Sequence, residues 1–161
     1  SGNVIGGGDW ANNRIIPDII RSHLSNKILK IRSINSTRPW IHIFDVLNAI
    51  LLLLTRTDFK KNQSLIFNLS PKIKKQISVK KILNLVFNHT NIKKLKVKSI
   101  KGNIKEKKYL HISSKKALDE LGWTTKLELK NALNLTINFY LLNKNKIYVE
   151  AIKQIKKFLL R

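Results

Sequence analysis

The chain has 161 residues, of which 43% are hydrophobic, and this is enough for one compact domain with a buried core. It contains no cysteine, which excludes disulfide frameworks and thiolate metal sites, and its four histidines lack metal-ligand spacing, so no metal is expected. Its apolar runs are far too short to cross a bilayer, and no signal pattern opens the sequence. We therefore predict a cytoplasmic protein without a membrane partner.

The formal net charge is +23, a value that raises nucleic acid as a partner. Only six of the 32 basic residues are arginine, and the lysines accompany abundant Ile and Asn, which share A/T-rich codons. The lysines are spread along the chain, and no aromatic-interleaved RNA-binding pattern occurs. We favour drifted composition over selected polyanion binding. A stand-alone basic module that binds nucleic acid or an anionic surface stays open as the alternative of a different class.

The start of the sequence also departs from that of an ordinary translated domain. The chain contains no methionine and begins at Ser1. Residues 2–5 have the pattern of a buried strand that runs directly into a glycine loop, which is a poor place for a natural terminus. We therefore expect residues 1–161 to be a fragment of a longer protein.

In the first third of the chain, periodicity predicts a strand ending at residue 5, a glycine loop at 6–9, a helix, a strand at 29–32, an extended stretch at 36–43 and a helix at 45–54. The first helix has Pro17 in its first turn, where a missing N–H matters least. Its apolar face is expected to consist of Ile16, Ile19, Ile20 and Leu24. Pro39 favours extended backbone at Arg38, and Asp45 is expected to cap the helix that follows.

The remainder predicts strands at 65–69 and 95–100, the latter half-buried, an extended piece at 109–112, and helices at 78–87, 114–121, 129–142 and 147–160. Ser78 is expected to cap one helix and Gly122 to end another. The alternation predicts an α/β protein, with no repeat or linker that would divide it. The last helix is basic and amphipathic, and we expect it to pack on its own domain; a membrane-surface or partner-binding role is the alternative.

Two segments carry candidate chemistry. The loop Gly6-Gly7-Gly8 precedes a helix, as in phosphate cradles, but the dinucleotide fingerprint is incomplete, so a structural tight turn is an equal alternative. The segment TRPWIHI at 37–43 places an always-charged Arg38 beside Trp40, which predicts an anion site; the alternative is an exposed arginine beside a core tryptophan. We interpret His42 as a packing residue rather than an acid or base.

Longer motifs carry a family resemblance. The strings GNVIGGGDW at 2–10, RIIPDI at 14–19, TRPWIH at 37–42, FNLSP at 67–71 and LGW at 121–123 are similar to those of CDP-glucose 4,6-dehydratases. The resemblance extends from about residue 2 to residue 140. These enzymes are extended short-chain dehydrogenase/reductases of the NAD-dependent epimerase/dehydratase superfamily. The resemblance implies the C-terminal part of a Rossmann-type protein, with the small substrate-binding domain.

The resemblance also implies a lyase reaction, in which NAD is transiently reduced while CDP-glucose becomes CDP-4-keto-6-deoxyglucose, an intermediate for deoxysugar biosynthesis. The family's NAD-binding and catalytic motifs belong to the part that precedes the equivalent of Ser1, so residues 1–161 are expected to be inactive alone and to hold no catalytic residue. Tyr140 and Lys144 fit Tyr-x-x-x-Lys in spacing, but we interpret Tyr140 as a surface or core tyrosine. A homodimer is implied for the full-length enzyme.

By the same resemblance, Asn3 contacts the sugar or diphosphate, Arg38 clamps the diphosphate, and the pocket for CDP-glucose is completed by Asp9, Trp10, Arg14, Trp40, Glu106 and Tyr109. Asp9 and Arg14 are expected to line the nucleotide pocket, Trp10 and Trp40 to shape its cytidine side, and the last two residues to close it. Ser70, Ser113 and Lys115 depart from the family pattern. The nucleotide preference is therefore open, and a related epimerase or dehydratase acting on a UDP- or dTDP-sugar is the alternative within the superfamily.

Overall fold

The computed structural model describes residues 1–56, 65–72, 77–100 and 107–160. The helices in these ranges are α1 (Ile15–Leu24), α2 (Ile43–Thr55), α3 (Val79–His89), α4 (Lys115–Leu121), α5 (Leu129–Tyr140) and α6 (Ile147–Leu159), with a short 3-10 turn at Lys144–Lys146. The strands are β1 (Asn3–Ile5), β2 (Leu29–Ile31), β3 (Thr37–Arg38), β4 (Trp40–His42), β5 (Ile77–Ser78) and β6 (Val97–Ser99).

The strands form three pairs. β1 lies parallel to β4, with Asn3 opposite Trp40, and β2 lies parallel to β6, while β3 and β5 are antiparallel. A helix occurs between the two members of each parallel pair, because parallel strands need a crossover connection. The predicted α/β class is confirmed.

Two apolar clusters hold these elements together. In the larger one, α1, α3 and α5 bury residues such as Ile19, Ile82 and Ile137 completely. The smaller cluster lies between α2 and α4, where the buried Trp123 donates its indole N–H to the backbone oxygen of Asp45 at 2.9 Å. Among the described residues, no helix reaches the length and apolar content that crossing a bilayer requires.

Several local predictions are confirmed. Ser78 caps α3, because its hydroxyl accepts a hydrogen bond from the backbone N–H of Lys81 at 3.1 Å. Gly122 ends α4 in the left-handed region, at φ 63°, where a glycine has no Cβ penalty. Pro17 lies in the first turn of α1, and the helices expected at 129–142 and 147–160 are α5 and α6.

Two predictions about helices are wrong. Leu24 does not join the buried face of α1 but is 63% exposed, because the chain turns away at Asn26, which has φ 50°. Asp45 does not cap α2, because the helix begins two residues earlier and the ring Nδ1 of His42 accepts from the backbone N–H of Phe44. The Asp45 carboxylate instead lies inside the first turn and accepts from the backbone N–H of Lys126 at 2.7 Å.

Two predictions about strands also need correction. Residues 65–69 form no strand; Phe67 and Leu69 pack on the smaller apolar cluster, and the oxygen of Leu69 accepts one hydrogen bond, from the N–H of Gly2. The half-buried strand expected at 95–100 is the shorter β6, whose three residues are all exposed. It pairs with the backbone of β2, and its side chains are exposed to solvent.

Candidate functional site

A cleft of about 580 Å³ opens between the end of β1, the start of α1, β2 and the strands β3 and β4. Clefts of this size are the usual sites for small molecules in proteins. The structure brings five of the predicted site residues to its walls, although they come from separate parts of the chain: Asn3, Asp9, Arg14, Arg38 and Trp40.

Arg38 is held in the cleft wall by backbone oxygens. Its Nη1 donates to the oxygen of Thr37 at 2.8 Å and to the oxygen of Lys107 at 2.9 Å. The side chain is half-buried, so these bonds restrict the orientation of its guanidinium. A permanently charged group with a fixed orientation can bind an oxyanion without first losing side-chain freedom.

Trp40 lines the same cleft but belongs to the core. It is buried in the larger apolar cluster, and its indole N–H donates to the oxygen of Ile77 at 3.2 Å. The sequence left two alternatives for residues 37–43, an anion site or an exposed arginine beside a core tryptophan. The tryptophan is a core residue, as in the second alternative, and the arginine is anchored at the cleft, as in the first.

The loop after β1 is tied down by two side chains that sequence reasoning did not assign to the site. Arg21 donates to the oxygens of Trp10 and Ala11 at 2.9 and 3.1 Å and forms an ion pair with Asp18. The hydroxyl of Tyr140 donates to the oxygen of Asp9. The only signal in the sequence is the i,i+3 spacing of Asp18 and Arg21, which predicts their ion pair but not the contact with the loop.

The Tyr140 hydroxyl is a hydrogen-bond donor rather than a base. Burial, with the nearby charge of Asp9, raises the pKa of Tyr140 to about 12, so the hydroxyl keeps its proton at neutral pH. Its ring lies in the core and contacts Trp10 edge-on at 5.0 Å between centroids. Of the two possibilities in the interpretation of Tyr140 as a surface or core tyrosine, this geometry agrees with the core.

The glycine loop is shaped by close packing. A Cβ on Gly7 would overlap the ring of Phe139 in α5, and a Cβ on Gly2 would overlap the backbone oxygen of Pro39. Gly8 has φ 89°, which side chains rarely adopt. The approach of α5 thus explains Gly7, a close contact with Ile43 of α2 explains Gly6, and the positive φ explains Gly8, so a structural turn accounts for the loop.

The other predicted site residues lie differently. Trp10 is 51% exposed, and Tyr109, which bridges to Thr37, is 58% exposed; neither is among the described residues that line the cleft. The ammonium of Lys108 lies 5.4 Å from the centroid of the Tyr109 ring. Glu106 lies outside the described residues.

His42 is buried below the cleft wall, at the end of β4. Its Nδ1 accepts from the N–H of Phe44 at 3.2 Å, and its ring packs edge-on against that of Phe44. Burial lowers the pKa of His42 to about 4, so the ring is neutral at pH 7. Within the described part of the chain its Nε2 has no hydrogen-bond partner. This geometry gives the histidine a helix-capping role.

The walls of the cleft carry more positive than negative side chains. Arginine and lysine supply five of the described lining residues, and aspartate supplies two, the negative pair being Asp9 and Asp18 and the positive set being Arg14, Arg21, Lys30, Arg32 and Arg38. Cationic walls of low dielectric concentrate anions. The arrangement can bind a phosphate-bearing small molecule.

Comparison with known proteins gives a family match for the N-terminal part of the chain. Residues 1–70 match the NAD dependent epimerase/dehydratase family. A CDP-glucose 4,6-dehydratase of Salmonella typhimurium is 48% identical over 56 residues, which are 35% of this chain and 16% of that protein.

Solved structures extend the likeness to most of the fold. A UDP-glucuronic acid 4-epimerase from Bacillus cereus, in complex with UDP-glucuronic acid and NAD, superposes with a TM-score of 0.73 at 20% identity, over 85% of this chain and 42% of its own. A UDP-glucose 4-epimerase from Thermotoga maritima, with UDP-glucose, gives 0.67 at 20% identity, over 94% and 45%. The chain thus spans less than half the length of these proteins. The resemblance found in the sequence is confirmed: residues 1–70 match the NAD dependent epimerase/dehydratase family, and the α/β fold is the Rossmann-type fold of solved epimerases.

Proposed function

We propose that this chain is the nucleotide-sugar-binding portion of an NAD-dependent epimerase or dehydratase, and that the cleft holds the nucleotide sugar. The observation that carries the proposal is the convergence of Asn3, Asp9, Arg14, Arg38 and Trp40 on one cleft with cationic walls. These residues belong to the segment that matches the family.

In this proposal Arg38 binds the diphosphate, because its permanently charged guanidinium lines the cleft and its orientation is restricted by hydrogen bonds to two backbone oxygens. Asn3 contacts the sugar or diphosphate from the start of β1, and Asp9 and Arg14 line the nucleotide side. Trp40 shapes the wall from the core. Trp10 is proposed to shape the cytidine side together with Trp40, and Glu106 and Tyr109 are proposed to close the pocket.

The finer proposal is a CDP-glucose 4,6-dehydratase, a lyase that forms CDP-4-keto-6-deoxyglucose. The 48% identity to the Salmonella typhimurium enzyme supports this choice. The related UDP-sugar epimerases are the second candidate, because the solved structures with the same fold include complexes with UDP-glucuronic acid and UDP-glucose. An enzyme that acts on a dTDP-sugar is the third candidate.

NAD is proposed as the cofactor of the whole protein, in which it would accept and return hydride. The residues described here do not fit its binding loop, because the Gly6–Gly8 turn is packed against Phe139 and lacks the dinucleotide fingerprint. We therefore assign no residue of this chain to NAD and no catalytic step to it. Inactivity of residues 1–161 alone, and a homodimer for the whole enzyme, are parts of the same proposal.

The proposal is tested by titrating the chain with CDP, UDP and dTDP while following thermal unfolding, since a ligand that binds the folded state stabilises it. We expect CDP to raise the midpoint more than the other two nucleotides. Equal or larger effects of UDP or dTDP would favour the other sugar classes. No effect of any nucleotide, together with DNA binding that persists at physiological salt, would favour the basic-module alternative.

The role of Arg38 is tested by the variant Arg38→Ala. Removing a charge-assisted contact to phosphate is expected to weaken CDP binding by about tenfold or more. Arg56→Ala, at the end of α2 and away from the cleft lining, is the matched control and should leave the affinity within about twofold. An affinity of Arg38→Ala within about twofold of the unchanged chain would contradict the diphosphate role.

A further inference from the structure

Within the described ranges, helix α6 packs on the protein along one face. Phe158 is buried, with its ring centroid 5.5 Å from that of Phe44, and the amide of Gln154 donates to the oxygen of Leu135 at 3.3 Å. These contacts fix the helix against α2 and α5 and confirm the expected packing of this helix on its own domain for that face.

An apolar stripe on α6 lies beside this packed face and is exposed. Tyr148, Ile152, Ile155 and Leu159 recur at spacings of four, three and four residues, which places them in one row along the helix. Tyr148 is 76% exposed and Leu159 is 59% exposed. An exposed row of large apolar side chains marks an interaction surface.

Cationic side chains lie on the remaining exposed surface of α6, and Lys156 is the one next to the stripe. Lys153, Lys156 and Lys157 are all exposed, and the exposed Val149 and Leu160 lie among them. The one acidic residue within α6 is Glu150, and its carboxylate accepts a hydrogen bond from Gln154. Apart from Glu150, the exposed side chains of α6 named here are apolar or positive.

We propose that this face of α6 binds the surface of an anionic lipid bilayer, with the axis of the helix lying in the plane of the membrane. Tyr148, Ile152, Ile155 and Leu159 would enter the boundary between headgroups and acyl chains, and the three lysines would pair with anionic headgroups. The sequence led us to expect no membrane partner, and the proposal revises that expectation for surface binding alone.

Electrostatic repulsion argues against a second copy of the chain as the partner of this face. The net charge is +23, and a symmetric contact through the stripe would bring the lysines of both copies together at short range. Nucleic acid would satisfy the lysines but would leave the four apolar side chains exposed to water. An anionic bilayer satisfies both, because it offers negative headgroups and an apolar interior at neighbouring depths.

The test is sedimentation of the whole chain with vesicles of phosphatidylcholine alone and of about three parts phosphatidylcholine to one part phosphatidylserine. We expect binding to the mixed vesicles, weakened by about tenfold or more in the double variant Ile152→Glu, Ile155→Glu. The double variant Leu51→Glu, Leu54→Glu adds the same two carboxylates at exposed leucines of α2; it is the control and should bind within about twofold.

A second pair of variants guards against a folding defect. Tyr148→Gln and Leu159→Gln together change no charge and lie at the most exposed positions of the stripe, so they should keep the fold and still lose most of the binding. Lys153→Gln, Lys156→Gln and Lys157→Gln should remove the preference for phosphatidylserine. Neutralising Lys93, Lys94 and Lys96, exposed lysines before β6, should retain it.

Three outcomes would overturn the proposal. The first is no sedimentation with mixed vesicles. The second is binding that depends on total charge but not on the apolar stripe, which would mean general electrostatic attraction. The third is stripe-dependent binding to soluble polyglutamate without vesicle binding, which would assign the face to an acidic protein.

Discussion

Arg38 in the cleft wall and the lysines of α6 are all cationic, but the structure holds them in different ways. The Arg38 guanidinium is half-buried and bonded to two backbone oxygens, whereas Lys153, Lys156 and Lys157 extend from an exposed helix face among apolar side chains. A fixed cation suits a small anion of defined shape, and mobile ammonium groups beside an apolar stripe suit a broad anionic surface. The net charge alone does not separate these two uses, and the surroundings of each cation do.

Lowering the pH is expected to give the largest difference in stability between the two regions, because strand β4 in the cleft wall ends at the buried His42. The folded-state pKa of His42 is about 4, against 6.5 for the free group. Between these values the unfolded chain binds more protons, so stability falls as pH drops below 6.5, by roughly 3 kcal/mol once the pH reaches 4.

Urea denaturation between pH 7 and pH 4.5 measures this loss. His42→Gln is expected to be less stable at pH 7, because it alters the cap of α2, and to show a flatter pH profile. The same slope in the variant as in the unchanged chain would rule out His42 as the source of the acid sensitivity.

A substitution at the glycine loop tests how far the cleft depends on α5. In Gly7→Ala the new methyl group would overlap the Phe139 ring close to the helix backbone, and we expect a loss of about 2 kcal/mol of unfolding free energy. The measurement is urea denaturation at pH 7. If the overlap is the cause, adding Phe139→Ala should lower the cost of Gly7→Ala without removing it, because the ring is lost but the Cβ of residue 139, 2.6 Å from the new methyl carbon, stays; an unchanged cost in that background would contradict it.

A matched pair of tyrosine substitutions gives the smallest effect and compares the two regions directly. Tyr140→Phe removes the hydrogen bond to the oxygen of Asp9 and is expected to lower stability by about 1 kcal/mol. Tyr148→Phe makes the same change on the exposed face of α6 and should stay within about 0.5 kcal/mol. Equal effects on thermal unfolding would mean that the Tyr140 hydrogen bond adds no stability.

Local rules predicted most of the helices but not the contacts that build the cleft. Ser78 and Gly122 act within one turn of their helices, so their roles follow from neighbouring residues. Tyr140 reaches Asp9 across 131 residues, and Lys126 reaches Asp45 across 81. Such contacts depend on how the elements pack, so periodicity gave no sign of the loop anchors, and Asp45 was wrongly expected to be a cap.

For the site, the resemblance contributed what the residue pattern could not. It selected Asn3, Asp9 and Arg14, which the structure places on one cleft with Arg38 and Trp40. The pattern alone had singled out only the last two. Residues 65–69 show the opposite case, because an apolar run of strand-like composition packs on a core cluster without pairing as a strand.

The binding of a nucleotide in the cleft is the central claim, and mapping amide chemical shifts during a CDP titration tests it most directly. The account predicts that the largest changes occur at Asn3, Arg14 and Arg38, with saturation at a single affinity, and that Lys153 and Lys156 on α6 barely move. Changes spread over exposed lysines, with none around the cleft, would contradict the claim and would indicate general attraction of an anion to a highly basic chain.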